Sequence, residues 1–204
     1  DNMPVDNRIA LAVAGWILGA CSGDQNLSIA ISLIQVRDLV VEYLSTADAA
    51  RRKAIIGELS NLEGSEAEYV DRILPLLTPV LPWPEGAQHS QISGMFNVST
   101  DSFQYVIQLP PEYNPLREYP CVVALHESQS QIENQLDWWS GGYREQLDGR
   151  MGYGSRSGFI VVAPVWSRPR QRVYEYTPQE HQRVLAATRD AMRRASIDSD
   201  RVFI

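Results

Sequence analysis

The stretch that decides the fold is Phe159–Ile204, FIVVAPVWSRPRQRVYEYTPQEHQRVLAATRDAMRRASIDSDRVFI. Phe159 to Ala163 is a continuous apolar run, as a strand shows when both faces of its sheet are covered. Thr177 to Ile197 reads as a helix. Thr177 stands at the N-cap, Pro178 at the first helical position and Glu180 at the capping-box position, so three start signals agree. Val184, Thr188, Ala191 and Ala195 form one stripe, flanked by Leu185 and Met192. Arg201–Ile204, RVFI, reads as the start of another buried strand, entered through a loop over Asp198–Arg201. Strand, helix and strand with doubly covered strands make a βαβ unit and predict a parallel sheet.

Working upstream, CVVAL (Cys121–Leu125) is a second continuous apolar run, and PPEYNP before it is a turn. MFNVS and FQYVIQL have strand composition. In the second, Phe103, Tyr105, Ile107 and Leu109 alternate with Gln104 and Gln108, which predicts one buried and one partly wet face. The Pro-rich stretch from Pro79 to Gly86 marks a change of pattern.

Before it, the spacing is helical. Ala10, Val13, Ala14, Ile17 and Leu18 recur at three and four, and Gly23-Asp24 breaks the run. A second helix carries Ile29, Leu33, Val36, Val40 and Leu44 on one stripe. A third opens at STAD with Ser45 or Thr46 as cap and carries Ala50, Ala54, Ile55 and Leu59. A fourth opens at SEAE, with Ser65 as N-cap and Glu68 in the capping box. The expected organisation is an all-α helical domain over 1–80, a Pro-containing linker over 81–94, and a three-layer, mostly parallel α/β domain over 95–204.

The net charge of -7 and a composition of 44% hydrophobic and 21% charged residues describe ordinary globular material. An acidic surface gains nothing electrostatically from nucleic acid or an anionic membrane, so neither is an expected partner. Cys21 and Cys121 read as buried thiols, with a disulfide as the alternative. His89, His126 and His181 are isolated and form no ligand set, so neither metal nor cofactor is expected. RIALAVAGWILGACSGD looks like a lipoprotein signal, but its apolar run is short for a membrane span and few positive charges precede it. A core helix is the reading preferred.

Taken in order, the strand FQYVIQL, then LPPEYNPLREYPCVVALHES, then GFIVVAP, a helix and IDSDRVFI resemble the amino-terminal part of the α/β-hydrolase superfamily. The likeness is to its esterases and its polyhydroxyalkanoate-depolymerase-like and prolyl-oligopeptidase-like peptidases, and covers about 96–204. In that family the strand corresponding to RVFI runs into the G-x-S-x-G nucleophile elbow. The chain contains no such motif; GYGSRSG (Gly152–Gly158) precedes a strand rather than following one. The resemblance therefore implies an incomplete hydrolase fold, with a Ser-His-Asp triad beyond Ile204 and no catalytic residue within the chain.

The resemblance also implies an oxyanion-hole backbone donor in the loop after CVVAL, where Glu127 and Ser128 are the candidates. The family usually has His-Gly there; His126-Glu127-Ser128 departs from it by putting a carboxylate where negative charge develops. His126 is expected to be structural, His181 to sit at a helix start, and Glu175 to be solvated. Trp138, Trp139 and Trp166 follow strand ends and are candidates for a substrate cleft, with packing as the alternative. The expected activity of the parent protein is serine hydrolysis of a small-molecule ester or peptide, with the helical domain packed on the hydrolase domain. Two rival readings are a catalytically dead hydrolase-like binding module, and a helical protein-interaction domain with the sheet as passenger.

Overall fold

A computed structural model describes residues 3–19, 27–127 and 131–204. The chain divides into two compact units, Asp1–Val80 and Leu81–Ile204. Cys21 and the Gly23-Asp24 break lie outside the described residues.

In the first unit the described residues form four helices: α1 (Val5–Leu18), α2 (Leu27–Ser45), α3 (Ala49–Leu59) and α4 (Ala67–Ile73). Ala10 and Ala14 of α1 meet Ala30, Leu33 and Val36 of α2, with Ile73 of α4 completing the cluster. Small residues on both helices let the backbones approach before the larger side chains fill the layer. Gly64 packs against the middle of α2, where its N–H donates to Ser32 Oγ at 2.8 Å.

Two caps differ from expectation. The N-cap of α3 is Asp48, whose side chain accepts from Ala50 N–H, while Thr46 Oγ1 accepts from Asp48 N–H one step earlier. Asp48 has the extended backbone a cap needs immediately before the first turn, which Ser45, still inside α2, lacks. Ser65 closes a 3-10 turn over Glu63–Ser65 and donates to Leu62 O at 2.7 Å, so α4 begins after Glu66 without a side-chain cap.

The second unit contains β1 (Met95–Ser99), β2 (Gln104–Gln108), β3 (Tyr119–Val123), α5 (Glu133–Ser140), β4 (Tyr143–Arg144), β5 (Gly149–Arg150), α6 (Tyr153–Arg156), β6 (Ile160–Pro164), α7 (Pro178–Arg194) and β7 (Ile197–Phe203). Five strands form one sheet in the order β1-β2-β6-β3-β7, and β4 with β5 form a small separate ribbon. β3 pairs in parallel with β6 and β7, whereas β2 is antiparallel to both β1 and β6. The sheet is therefore mixed rather than mostly parallel, because β2 runs against its neighbours. The class is mixed α/β.

Both faces are covered. Val162, Ile160, Cys121 and Ile107 pack with Val184, Ala187 and Ala191 of α7 on one side. Val161, Ala163, Val122 and Val106 pack with Leu136 of α5 on the other. That second layer explains why β2 lacks the wet face its alternation predicts: only Gln104 is exposed, and Gln108 is buried. Gln108 Nε2 is satisfied by the carbonyls of Ser93 and Leu109, each at 3.0 Å.

α7 begins as its sequence predicts. Thr177 and Glu180 exchange both bonds of the capping box and Pro178 opens the first turn. Its far end is anchored by Asp190, which accepts from the Tyr105 hydroxyl at 2.8 Å and pairs with Arg194 at 2.7 Å.

Residues 81–94 belong to the sheet unit rather than forming a linker. Trp83 stacks on Phe96 with ring centroids 4.1 Å apart, Leu81 N–H donates to Arg193 O, and Gln88 bridges to Phe96. Prolines stop a helix but leave side chains free to pack, and here the aromatic contact ties the stretch down.

β7 also differs. It begins at Ile197, and four residues, Asp198–Arg201, bulge between its pairings Tyr119↔Ile197 and Cys121↔Val202. Asp198 closes the bulge by accepting from Asp200 N–H and from Arg201. Among the described residues β7 lies at the edge of the sheet, with Phe203 and Ile204 54% and 82% exposed.

Candidate functional site

β6, β3 and β7 run in one direction, so their carboxyl ends open on one side of the sheet, where ligands bind in α/β proteins. Val122 stands opposite Phe203, so the carboxyl end of β7 lies one strand spacing, about 4.8 Å, from that of β3.

The loop leaving β3 is held by two bonds. The indole Nε1–H of Trp166, just past β6, donates to the His126 carbonyl at 2.9 Å. His126 is itself buried, and its Nδ1–H donates to the Glu127 carbonyl at 2.8 Å. Because a carbonyl only accepts, this bond fixes the neutral ring's proton on Nδ1. In a trans peptide the C=O and the following N–H point in opposite directions. Drawing the His126 carbonyl toward the indole therefore turns the Glu127 N–H away from it. Both peptides flanking Glu127 have set directions, the local requirement for a preorganised donor. Glu127 itself is exposed. Ser128 lies outside the described residues.

Trp166 is held in turn by an aromatic stack. Its ring lies 5.5 Å from His126 and 5.1 Å from Tyr174, and Tyr174 contacts Tyr176 and His181 at 5.2 and 5.8 Å. Glu180 organises the loop that carries Tyr174. Its buried carboxylate accepts from Glu175 N–H at 3.0 Å, Thr177 N–H at 2.7 Å, Thr177 Oγ1 at 3.0 Å and Gln171 Nε2. Burial works to raise this carboxyl, but the Glu175 and Thr177 amides, followed by the Gln171 and Thr177 side chains, outweigh it and bring it down to about 2. Glu180 is thus an anion at neutral pH that gathers residues 171–177 beneath the loops.

The three tryptophans do not share a cleft. Trp166 is 3% exposed and packs on the α7 face. Trp138 and Trp139 ride on α5, whose Leu136 packs on the opposite face, and Trp138 is 81% exposed. His181 is exposed in the first turn of α7 and Glu175 is exposed in the loop.

The described residues supply no activated nucleophile of their own. Cys121 is fully buried in β3, and burial pushes its thiol up to about 12, leaving it protonated and inert. No three His, Cys, Asp or Glu side chains gather as a metal site among the described residues, and no described helix is long and apolar enough to cross a membrane.

Sequence reading missed Tyr174 and the hub role of Glu180. The capping box was legible, but it does not reveal that the same carboxylate also binds residues 171 and 175. No family model, curated protein or solved structure matches this chain.

Proposed function

We propose that this chain is the amino-terminal part of an α/β-hydrolase-type serine hydrolase that cleaves an ester or peptide bond. The observation that carries this reading is the pinned Glu127 peptide at the carboxyl end of β3, beside the carboxyl end of the parallel strand β7. A nucleophile elbow following β7 would bring a serine hydroxyl next to that peptide. The serine Oγ then attacks the scissile carbonyl carbon while a histidine, oriented by an aspartate, takes its proton. The Glu127 N–H stabilises the negative oxygen of the tetrahedral intermediate. The alcohol or amine leaves with the proton from histidine, and water hydrolyses the acyl-enzyme to release the acid. The exposed Glu127 carboxylate fits this scheme, since a charge in water is screened.

The carboxylate also favours a second reading, a hydrolase-like module that binds ligand without turning it over. One experiment separates the two. The protein expressed with its downstream residues is treated with an activated ester and a fluorophosphonate probe. Ester hydrolysis, with covalent labelling of a serine shortly after β7, is the expected result. Absence of both from a folded protein overturns the hydrolase reading.

A further inference from the structure

At the carboxyl end of the sheet, beyond β6 and β2, lies a cleft of about 480 Å³. Its walls are the β1–β2 hairpin at Thr100–Gln104, the loop Val165–Arg170 after β6, and Arg183 of α7. The hairpin is fixed, with Val165 N–H donating to Gln104 O at 2.8 Å and Thr100 Oγ1 to Phe103 O at 2.9 Å. Three guanidinium groups, Arg168, Arg170 and Arg183, line this cleft against one carboxylate, Asp101.

The charge balance sets this cleft apart from two others of similar size. At the opposite end of the sheet, a cleft of about 380 Å³ matches Arg117 and Arg156 with Glu112 and Glu118. In the helical unit, a cleft of about 400 Å³ is lined by Asp38, Glu42 and Glu58, and Arg51 bridges the two glutamates. At the carboxyl end, by contrast, no ion pair among the described residues engages the three arginines. Arg183 donates to the Trp166 carbonyl at 3.2 Å, which holds its side chain on the cleft wall. Arg170 has a left-handed backbone, φ 71°, uncommon for a long side chain.

We propose that this cleft binds a small oxyanion, a carboxylate or phosphate group, through Arg168, Arg170 and Arg183. Guanidinium groups present paired N–H donors whose geometry matches both anions, and in a chain of net charge -7 their convergence marks a local reversal of field. The Ser102 and Ser167 residues of the same walls add hydroxyl donors. The loop carrying Arg168 and Arg170 also carries Trp166, whose indole bonds to the His126 carbonyl, so the cleft wall and the loop after β3 are linked through one residue. On the hydrolase reading, and on that reading alone, the bound group is an acidic substituent of the substrate, and the enzyme prefers anionic esters or peptides.

Binding is measured separately from hydrolysis, by titration calorimetry of the protein at low ionic strength with sodium phosphate in one arm and sodium succinate in the other. Saturable binding is expected, weakened as sodium chloride is added. The arm that binds more tightly identifies the tetrahedral or the planar anion as the better ligand. The double substitution Arg168→Ala/Arg170→Ala, on exposed loop positions, is expected to weaken binding about tenfold or more. Arg183→Gln, which keeps a polar side chain, is expected to weaken it as well. The charge-matched Arg117→Ala/Arg156→Ala control should bind as the parent does. A folded parent that binds neither anion overturns the proposal, as does equal weakening by the two double substitutions. Because no catalysis is read, an inactive enzyme that still binds refutes the hydrolase reading and leaves the anion site standing.

Discussion

Replacing Trp166 by Phe removes one hydrogen-bond donor and keeps an aromatic ring, which isolates the bond that orients the loop after β3. Trp166 is 3% exposed and its Nε1–H bonds to the His126 carbonyl at 2.9 Å. Without that donor the carbonyl loses its partner inside the protein, at a cost of about 1–3 kcal/mol. The smaller ring also leaves a gap against Tyr174 and His126, adding about 1 kcal/mol. The expected loss of about 2–4 kcal/mol is a large share of a typical domain stability. It lowers the melting temperature by roughly 4 °C per kcal/mol. Thermal unfolding followed by near-UV circular dichroism reads this change. Trp138→Phe is the control: at 81% exposure it should move stability by less than about 0.5 kcal/mol. In the protein carrying its downstream residues, Trp166→Phe should also lower kcat by up to about 100-fold, with KM nearly unchanged, because a misdirected Glu127 N–H fails only in the transition state. A Trp166→Phe protein that melts within about 2 °C of the parent would refute the claim that the indole bond holds this loop.

Two further outcomes test the surroundings of the site. The Glu180 carboxyl is lowered from 4.5 to about 2, so its stabilising effect is complete above its ordinary value and is lost as pH falls from about 4.5 to about 2. Hydrogen exchange of residues 171–177 should rise through that window. Glu180→Gln should show the raised exchange already at pH 7, and an unchanged acid response in Glu180→Gln would contradict the hub role. Gly152→Ala probes a different constraint. A Cβ there would meet Gly141 N at 2.3 Å and the Ser140 carbonyl carbon at 2.5 Å, where the Gly152 N–H also donates to Ser140 O. Backbone cannot yield as a side-chain tip does, so a destabilisation of about 3 kcal/mol is expected in chemical denaturation. A neutral substitution would show that the α5–α6 approach is looser than this.

The βαβ signal was legible because it is local. Thr177, Pro178 and Glu180 signal a helix start through bonds made within one turn, and FIVVA needs only its own composition to signal a doubly covered strand. For the same reason, Phe103 to Leu109 misled: alternation reports side-chain chemistry, while burial of Gln108 depends on the Ser93–Gly94 stretch, which β2 does not itself specify. RVFI indicates a strand through its apolar residues, but the bulge over Asp198–Arg201 is a property of its pairing with β3.

Of the candidate site, Glu127 was found through resemblance and Trp166 through its position after a strand. Their hydrogen-bonded link joins segments forty residues apart through a carbonyl, and backbone acceptors leave no mark in a sequence. The separation of Trp138 from Trp166 had no sequence signal either, since which face a helix covers is decided by its connection to the sheet. The alternating arginines of SRPRQR were visible, yet only folding brings Arg183 and the hairpin beside them. Sequence alone thus determined the four amino-terminal helices, α7 and the apolar strands, because those preferences come from neighbours along the chain, but not α5, α6 or the β4–β5 ribbon. The tertiary structure decided strand order, the coverage of both faces and the meeting of Trp166, His126 and the arginine cleft, because these depend on contacts whose partners are remote in sequence.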